Sequence, residues 1–241
     1  MQRFALLTAA TAAVIFSTSA HAAVIAQYDF EAASEPSGRV YTIASVDSDS
    51  LSSATSFDLS AAIQPSGASV KPTGIYDDST TFGFDGTGSF QGGLVVSHAS
   101  TETTVALSAT KFAEFSVTPS ATYELDLESF AFRYRTSNNG NSQALTLRSS
   151  IDSYATDINS QLVTATFTNY SFTLTDPSFQ NLQNTTTFRV YFTDTSTNAD
   201  RNHRVDNVTL NATVALVPEP TSAIAIVAGA GLLALRRRAR D

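Results

Sequence analysis

The stretch TYELDLESFAFRYR, residues 122–135, alternates apolar and polar side chains with a period of two. Successive side chains of a β-strand point to opposite faces of a sheet, so this pattern predicts a half-buried strand. The apolar positions change parity midway, which predicts a β-bulge or turn near Glu128 and Ser129. The apolar residues of the two halves are Tyr123, Leu125 and Leu127, then Phe130, Phe132 and Tyr134.

Shorter alternating runs lie on both sides of this stretch, separated by turn-forming clusters such as Glu35–Gly38, Gln64–Gly67 and Asp176-Pro177. No interior segment has a sustained helical period. Short strands spaced by turns predict an all-β fold, an antiparallel β-sandwich of the jelly-roll type. Residues 45–93 are rich in Ser, Asp and Gly, which predicts long loops over one edge. The predicted strands are Val24–Glu31, Lys111–Val117, Ala144–Arg148, Tyr170–Leu174, Thr187–Thr193 and Val205–Val217.

The first 22 residues have the three parts of a secretory signal peptide. Arg3 precedes the apolar run Phe4–Phe16, and Ala20-His21-Ala22 matches the small-residue pattern of a cleavage site. We therefore expect residues 1–22 to be removed by signal peptidase and the mature chain to begin near Ala23.

The C-terminal residues 217–241 combine a Pro-Glu-Pro motif, a short apolar run and an arginine cluster. Prolines restrict their own backbone and that of the preceding residue, so a helix can begin only after Pro220. The run Ala223–Leu235 contains only Ala, Ile, Val, Leu and Gly. Arginines stay on the cytoplasmic side of a membrane. The motif is formed by Val217, Pro218, Glu219 and Pro220, and the cluster by Arg236, Arg237, Arg238 and Arg240.

These three parts resemble the PEP-CTERM sorting signal of Gram-negative bacteria. The resemblance implies export, temporary anchoring in the inner membrane by a transmembrane helix, and recognition of the Pro-Glu-Pro motif by an exosortase. A buried core helix would not be followed at once by four arginines, and the tail of a GPI signal does not end in a basic cluster. The resemblance covers about a tenth of the chain and leaves the role of residues 23–216 open.

Residues 23–216 are numerous enough for one all-β domain with a sizeable core. They contain nine basic and twenty acidic residues, a formal charge of −11, against −8 for the whole chain. Binding to nucleic acid depends on neutralising phosphates, so this charge argues against a nucleic-acid partner. The sequence has no cysteine, which excludes disulfides and cysteine-based metal or redox sites.

Four short motifs of this domain combine acidic, aromatic and arginine residues: Tyr28-Asp29-Phe30-Glu31, Leu147–Tyr154, Phe188–Tyr191 and Arg204–Leu210. Together they resemble the β-rich region of bacterial secreted proteins with a PEP-CTERM tail, and carbohydrate-binding jelly rolls of the galactose-binding-like class. In such modules an early acidic strand and a late Asp-containing strand lie near a structural calcium site. The resemblance therefore points to Glu31 and Asp206 as calcium ligands, with Asp29 a weaker candidate. In the alternative, Asp206 lies in a solvated strand or pairs with Arg204 or Arg189.

Other residues allow an enzymatic interpretation, which we do not favour. Glu124, Asp126 and Glu128 could act as paired carboxylates in glycoside hydrolysis, but such a pair normally faces across a cleft. We interpret them as a solvated sheet face. His98 and His203 fit no metal-ligand spacing or nucleophile motif, so we expect both on the surface or in loops and predict no catalytic residue.

Sugar binding would use exposed aromatic rings beside polar groups that fix orientation. The absence of Trp weakens this interpretation. The candidate residues are Tyr76, Phe82, Phe84, Phe90, Tyr134, Arg135 and Asn138–Asn141.

We therefore predict a non-enzymatic exported protein of the cell envelope or extracellular matrix, processed by an exosortase and associated with extracellular polysaccharide. Two other classes remain open: a carbohydrate-binding, lectin-like module with a structural calcium, and a secreted glycan-active hydrolase.

Overall fold

The computed structural model describes residues 21–30, 40–41, 51–60, 74–77, 92–97, 112–136, 142–195 and 202–217. They form an antiparallel all-β sandwich, as predicted. The helical elements of these ranges are two short 3₁₀ turns, Ser150–Asp152 and Pro177–Phe179. None of the described segments forms a helix long and apolar enough to span a membrane.

The first sheet has six strands. The strands of both sheets are numbered together in chain order. The order in the first sheet is β11-β8-β13-β6-β5, and β1 also pairs with β13. Along the same edge, the long strand β13 pairs with β6 near its start and with β1 further along. The strands are β1 (His21–Tyr28), β5 (Gly74–Asp77), β6 (Gly92–Ser97), β8 (Tyr123–Thr136), β11 (Thr168–Thr173) and β13 (Asn202–Leu216).

The second sheet has seven strands in the order β10-β9-β12-β7-β4-β2, and β3 also pairs with β7. The strands are β2 (Val40–Tyr41), β3 (Ser52–Ala54), β4 (Phe57–Leu59), β7 (Ala113–Pro119), β9 (Gln143–Ser149), β10 (Asn159–Leu162) and β12 (Thr186–Asp194).

The bulge predicted in residues 122–135 is confirmed. Asn211 of β13 pairs with Ser129 and the next residue, Ala212, pairs with Leu127, so Glu128 is the extra residue on β8. A second bulge lies on β13 at Asn207, which has φ of 50°. Asn tolerates this left-handed conformation better than most residues. The two bulges keep the aromatic half of β8 facing the core.

Aromatic rings from both sheets fill the core. The rings of Phe115 on β7 and Phe130 on β8 stack with centroids 6.0 Å apart, which joins the two layers. Phe115 also packs against Phe188 on β12 and Tyr28 on β1. Offset aromatic pairs of this kind add to the stabilisation from buried apolar area. Packed aromatic rings therefore stabilise the core of a chain that has no cysteine to form disulfides.

All six predicted strands overlap observed ones. The prediction of loops throughout residues 45–93 is wrong in part, because β3, β4 and β5 lie there; the alternating Phe57 and Leu59 are buried. Strand β1 begins at His21, inside the predicted signal peptide. Residues 1–20 and 218–241 lie outside the described residues, and with them the predicted sorting helix, the prolines of the motif and the arginine cluster.

Candidate functional site

Three carboxylates on one face of β8 accept hydrogen bonds from neighbouring segments of the same chain. The Asp126 carboxylate accepts the backbone N–H of Asn181 at 2.7 Å, and the Glu128 carboxylate accepts the Thr213 hydroxyl at 2.6 Å. Glu124 accepts the side-chain amide of Gln183 at 3.3 Å. These bonds give the three carboxylates a structural role.

The proposed calcium ligand Asp206 is buried, so the alternative of a solvated strand is wrong. Its carboxylate accepts the backbone N–H of Asn207 at 2.7 Å and the Asn207 side-chain amide at 2.8 Å, which fastens the second bulge. Arg189 does not pair with it, because Arg189 lies on the other sheet. Glu31 lies outside the described residues. In the described ranges no group of three or more His, Cys, Asp or Glu is placed to hold a metal, so calcium would require Glu31 or other ligands beyond them.

The expectation that His203 lies at the surface is wrong. His203 faces the core from β13, where its Nδ1 is bonded to the Tyr134 hydroxyl and its ring packs against Phe192. Tyr134 is also fully buried, which raises the pKa of its hydroxyl well above the usual value and excludes it as a surface platform for sugars. Among the other predicted sugar contacts, the side chain of Tyr76 and residues 82, 84, 90 and 138–141 lie outside the described residues.

The structure draws attention instead to the loop formed by residues 150–157, between β9 and β10. Ser153 and Tyr154 have φ of 59° and 63°, so two consecutive non-glycine residues are left-handed. Each such residue costs about 1–2 kcal/mol. The Asp152 carboxylate stabilises the turn by accepting the Thr156 hydroxyl and the backbone N–H groups of Ala155 and Thr156. The hydrogen bond from the Thr156 hydroxyl is also the largest cause of the lowered pKa of Asp152.

Three residues on the outer face of the seven-stranded sheet, Phe112, Glu114 and Arg189, hold Tyr154 of this loop. We call the four residues the arginine clamp. The Arg189 guanidinium lies 4.0 Å from the ring centre of Phe112 and 3.8 Å from that of Tyr154. Its Nε donates to Glu114 at 2.7 Å. Burial and the Glu114 charge raise the pKa of the Tyr154 hydroxyl. Because the ring of Tyr154 is fixed against the sheet, the left-handed backbone conformation of this residue is fixed as well.

Arg148, next to the clamp, adds two further contacts to the loop. It donates through Nη1 to the Tyr154 carbonyl at 3.0 Å and through Nε to Asp157 at 2.6 Å. The loop is therefore held at both its middle and its end.

The same loop lines a cleft of about 350 Å³ where the end of β9 approaches the end of β11. Ligand sites usually enclose about 300–1,000 Å³. Across the cleft, Asp176 accepts the backbone N–H and hydroxyl of Ser178, and these bonds lower the pKa of Asp176. The lining of the cleft includes Ile151, Asp152, Thr156, Asp176, Ser178 and Phe179.

The cleft combines ionised carboxylates and hydroxyls with an apolar wall. Carboxylates and hydroxyls can bond the hydroxyl groups of a polyol, while Ile151 and Phe179 can pack against its C–H surface. The hydrogen bonds that lower the pKa values of Asp152 and Asp176 favour their ionised forms, which accept hydrogen bonds. The cleft therefore has the groups needed to bind a neutral polyol.

Sequence reasoning missed the clamp and the cleft. One signal was available: Arg189 alternates with the inward-facing Phe188 and Val190, so its side chain had to point outward. Nothing local indicated that the Tyr154 ring would meet it.

No protein-family model matches the sequence, and no curated protein matches it. An arabinose-bound α-L-arabinofuranosidase is similar in structure, with TM-score 0.41 and 12% identity over 78% of this chain and 27% of that one. The enzymatically active domain of a bacteriophage tailspike protein has TM-score 0.32 and 12% identity over 58% of this chain and 17% of that one. TmCBM61 in complex with β-1,4-galactotriose has TM-score 0.30 and 9% identity over 57% of this chain and 80% of that one. This chain spans about a quarter of the length of the arabinofuranosidase.

Proposed function

We propose that this chain is a non-enzymatic, exported glycan-binding protein of the cell envelope or extracellular matrix. The observation that carries the proposal is the cleft beside residues 150–157, where hydroxyls and ionised carboxylates meet an apolar wall on a loop held by the arginine clamp. Because the loop is already ordered, it loses less conformational entropy when a ligand binds. Two left-handed residues are retained in this loop, and backbone strain of this kind is concentrated at functional sites.

Export and final location are proposed on the sequence alone. Residues 1–22 would direct export, and residues 217–241 would hold the protein in the inner membrane until an exosortase acts at Pro218-Glu219-Pro220. A protein delivered in this way would meet extracellular polysaccharide, which supplies the ligand that the cleft requires.

The proposal is tested by binding of the purified chain to an array of neutral oligosaccharides. We expect saturable binding that free sugar competes away. Asp176→Ala, which removes an exposed carboxylate from the cleft, should weaken binding about tenfold, since a carboxylate accepts stronger hydrogen bonds than a neutral group. Asn169→Ala, a change on the exposed strand β11 away from the cleft lining, is the matched control and should bind as the parent chain does. A folded sample that binds no neutral sugar would contradict the proposal.

A structural calcium remains a proposal from the resemblance, with Asp206 and Glu31 as its ligands. If calcium joins these residues, a strong chelator should lower the melting temperature and added calcium should restore it. Asp206→Asn should then abolish the response to chelator. An identical melting curve with and without chelator would rule out calcium at this site.

The enzymatic alternative has one observation in its favour, on the outer face of the seven-stranded sheet. Burial and the neighbouring Glu114 raise the pKa of Asp58, and the two residues are register partners. A carboxyl group whose pKa is raised can serve as a general acid. Release of reducing sugar from glycans, lost in Asp58→Asn, would favour a secreted hydrolase over the binding function.

A further inference from the structure

A second cleft lies beside the cleft described above, which we now call the first cleft. The second cleft encloses about 400 Å³ between the 3₁₀ turn at Ser150 and the segment 181–186 that leads into β12. Ile151 lines both clefts, so they share one wall. Ile151 is 41% exposed. An apolar side chain in this position can pack against a ligand that passes from one cleft to the other.

Hydrogen bonds fix both walls of the second cleft. Leu182 exchanges two backbone hydrogen bonds of 3.0 Å with Leu125 of β8, which holds the segment 181–186 against the six-stranded sheet. The backbone N–H of Thr187 donates to the Ser150 hydroxyl at 3.0 Å, which joins β12 to the 3₁₀ turn. The second cleft is therefore ordered before a ligand arrives, as the first cleft is.

The lining of the second cleft is polar and, within the described part of the chain, contains no charged residue. The exposed residues Asn181 and Asn184 both line it. Their side-chain amides make no hydrogen bond to the described residues, since the bond of Asn181 to Asp126 uses its backbone N–H. An amide offers two donors and an acceptor, which suit the hydroxyl groups of a sugar.

The charges of the two linings disfavour an anionic ligand. The first cleft contains the carboxylates of Asp152 and Asp176, which would repel a uronic acid or a sulfated sugar. The second cleft has no cation in its described lining that would offset this repulsion. Hydroxyl groups, in contrast, can form hydrogen bonds in both clefts.

We propose that the two clefts are adjacent subsites for one linear, uncharged oligosaccharide that crosses Ile151. Its hydroxyl groups donate to the carboxylates of the first cleft on one side of Ile151 and bond the amides of the second cleft on the other. Once the first subsite is filled, the rest of the same ligand reaches the second at a high effective concentration. The site therefore selects for chain length. This inference rests on the proposed function, because it extends the same cleft.

The test is calorimetric titration of the full chain with uncharged gluco-, xylo-, manno- and galacto-oligosaccharides, from the disaccharide to the hexasaccharide of each series. We expect the hexasaccharide of the recognised series to bind at least about tenfold more tightly than its disaccharide. Asn184→Ala should weaken binding of that hexasaccharide about fivefold, as expected for one neutral hydrogen bond. The same variant should change binding of the disaccharide less than about twofold, whereas Asp176→Ala should weaken both ligands.

The matched control is Asn169→Ala, the same change on β11 outside both linings, which should bind every ligand as the parent chain does. Melting curves confirm that each variant is folded. Equal affinity for disaccharide and hexasaccharide, with the loss in Asp176→Ala retained, would overturn the second subsite and leave the proposed function in place. Tighter binding of a galacturonate hexamer than of any uncharged hexasaccharide would overturn the assignment to an uncharged ligand. Absence of binding to any neutral sugar would overturn both proposals.

Discussion

The two outer faces of the sandwich use arginines and aromatic rings in different ways. On the seven-stranded sheet, Arg189 lies between two rings and bonds Glu114. On the six-stranded sheet, Arg133 contacts the Phe167 ring and, among the described residues, no carboxylate. The first arrangement fixes a loop, whereas in the second a single ring contact holds the Arg133 guanidinium among the described residues.

A cross-strand neighbour explains the difference. Each arginine has a carboxylate opposite it in register: Glu114 for Arg189 and Asp206 for Arg133. The Glu114 side chain reaches its arginine, while the carboxylate of Asp206 bonds Asn207 in the bulge on β13. The bulge thus helps to decide that Arg189 has an ion pair with its cross-strand carboxylate whereas Arg133, within the described residues, does not.

The largest effect should come from removing the clamp. Arg189→Ala loses two cation–π contacts and an ion pair, and should lower the free energy of unfolding by about 2 kcal/mol. Arg133→Ala loses one cation–π contact and should cost about 0.5–1 kcal/mol. Denaturant titration of both variants measures the difference. Arg189→Lys, which keeps the charge but not the planar stacking, should recover only part of the loss. Equal losses in the free energy of unfolding for the two alanine variants would contradict the different roles assigned to Arg189 and Arg133.

A smaller effect is expected from relaxing the loop held by the clamp. Ser153→Gly removes the penalty of a left-handed non-glycine residue, partly offset by the greater freedom of glycine in the unfolded chain, and should stabilise the protein by about 0.5 kcal/mol. Ser153→Ala keeps the penalty and is the control. Stabilisation by Ala as large as that by Gly would show that backbone strain is not the cause.

The smallest effect should be local and dependent on pH. The folded-state pKa of Asp152 is below its ordinary value, so its stabilisation of the loop is present above about pH 4 and is lost as the pH falls through the folded pKa. Hydrogen exchange of the Thr156 amide should therefore show more opening at low pH, after correction for intrinsic rates. Asp152→Asn should remove this dependence, and no change with pH in the parent chain would contradict the assignment.

Much of the fold was predictable from sequence because strand patterning is local. The alternation in residues 122–135 predicted both β8 and the bulge at Glu128, and six predicted strands overlap observed ones. The site was less predictable. His203 was expected at the surface because one isolated histidine carries no signal of the neighbours that bury it. The export and sorting segments stay predictions.

The sequence by itself determined the β class, the change of face in β8 and the charge of the chain, since each depends on side-chain order or on a count. Only the tertiary structure decided which outward residues meet. Arg189 and Glu114 are 75 residues apart in the chain, yet they bond because β7 and β12 are neighbours. The clamp and the cleft both depend on strand order and register, and long-range pairing of this kind is not encoded in any one segment.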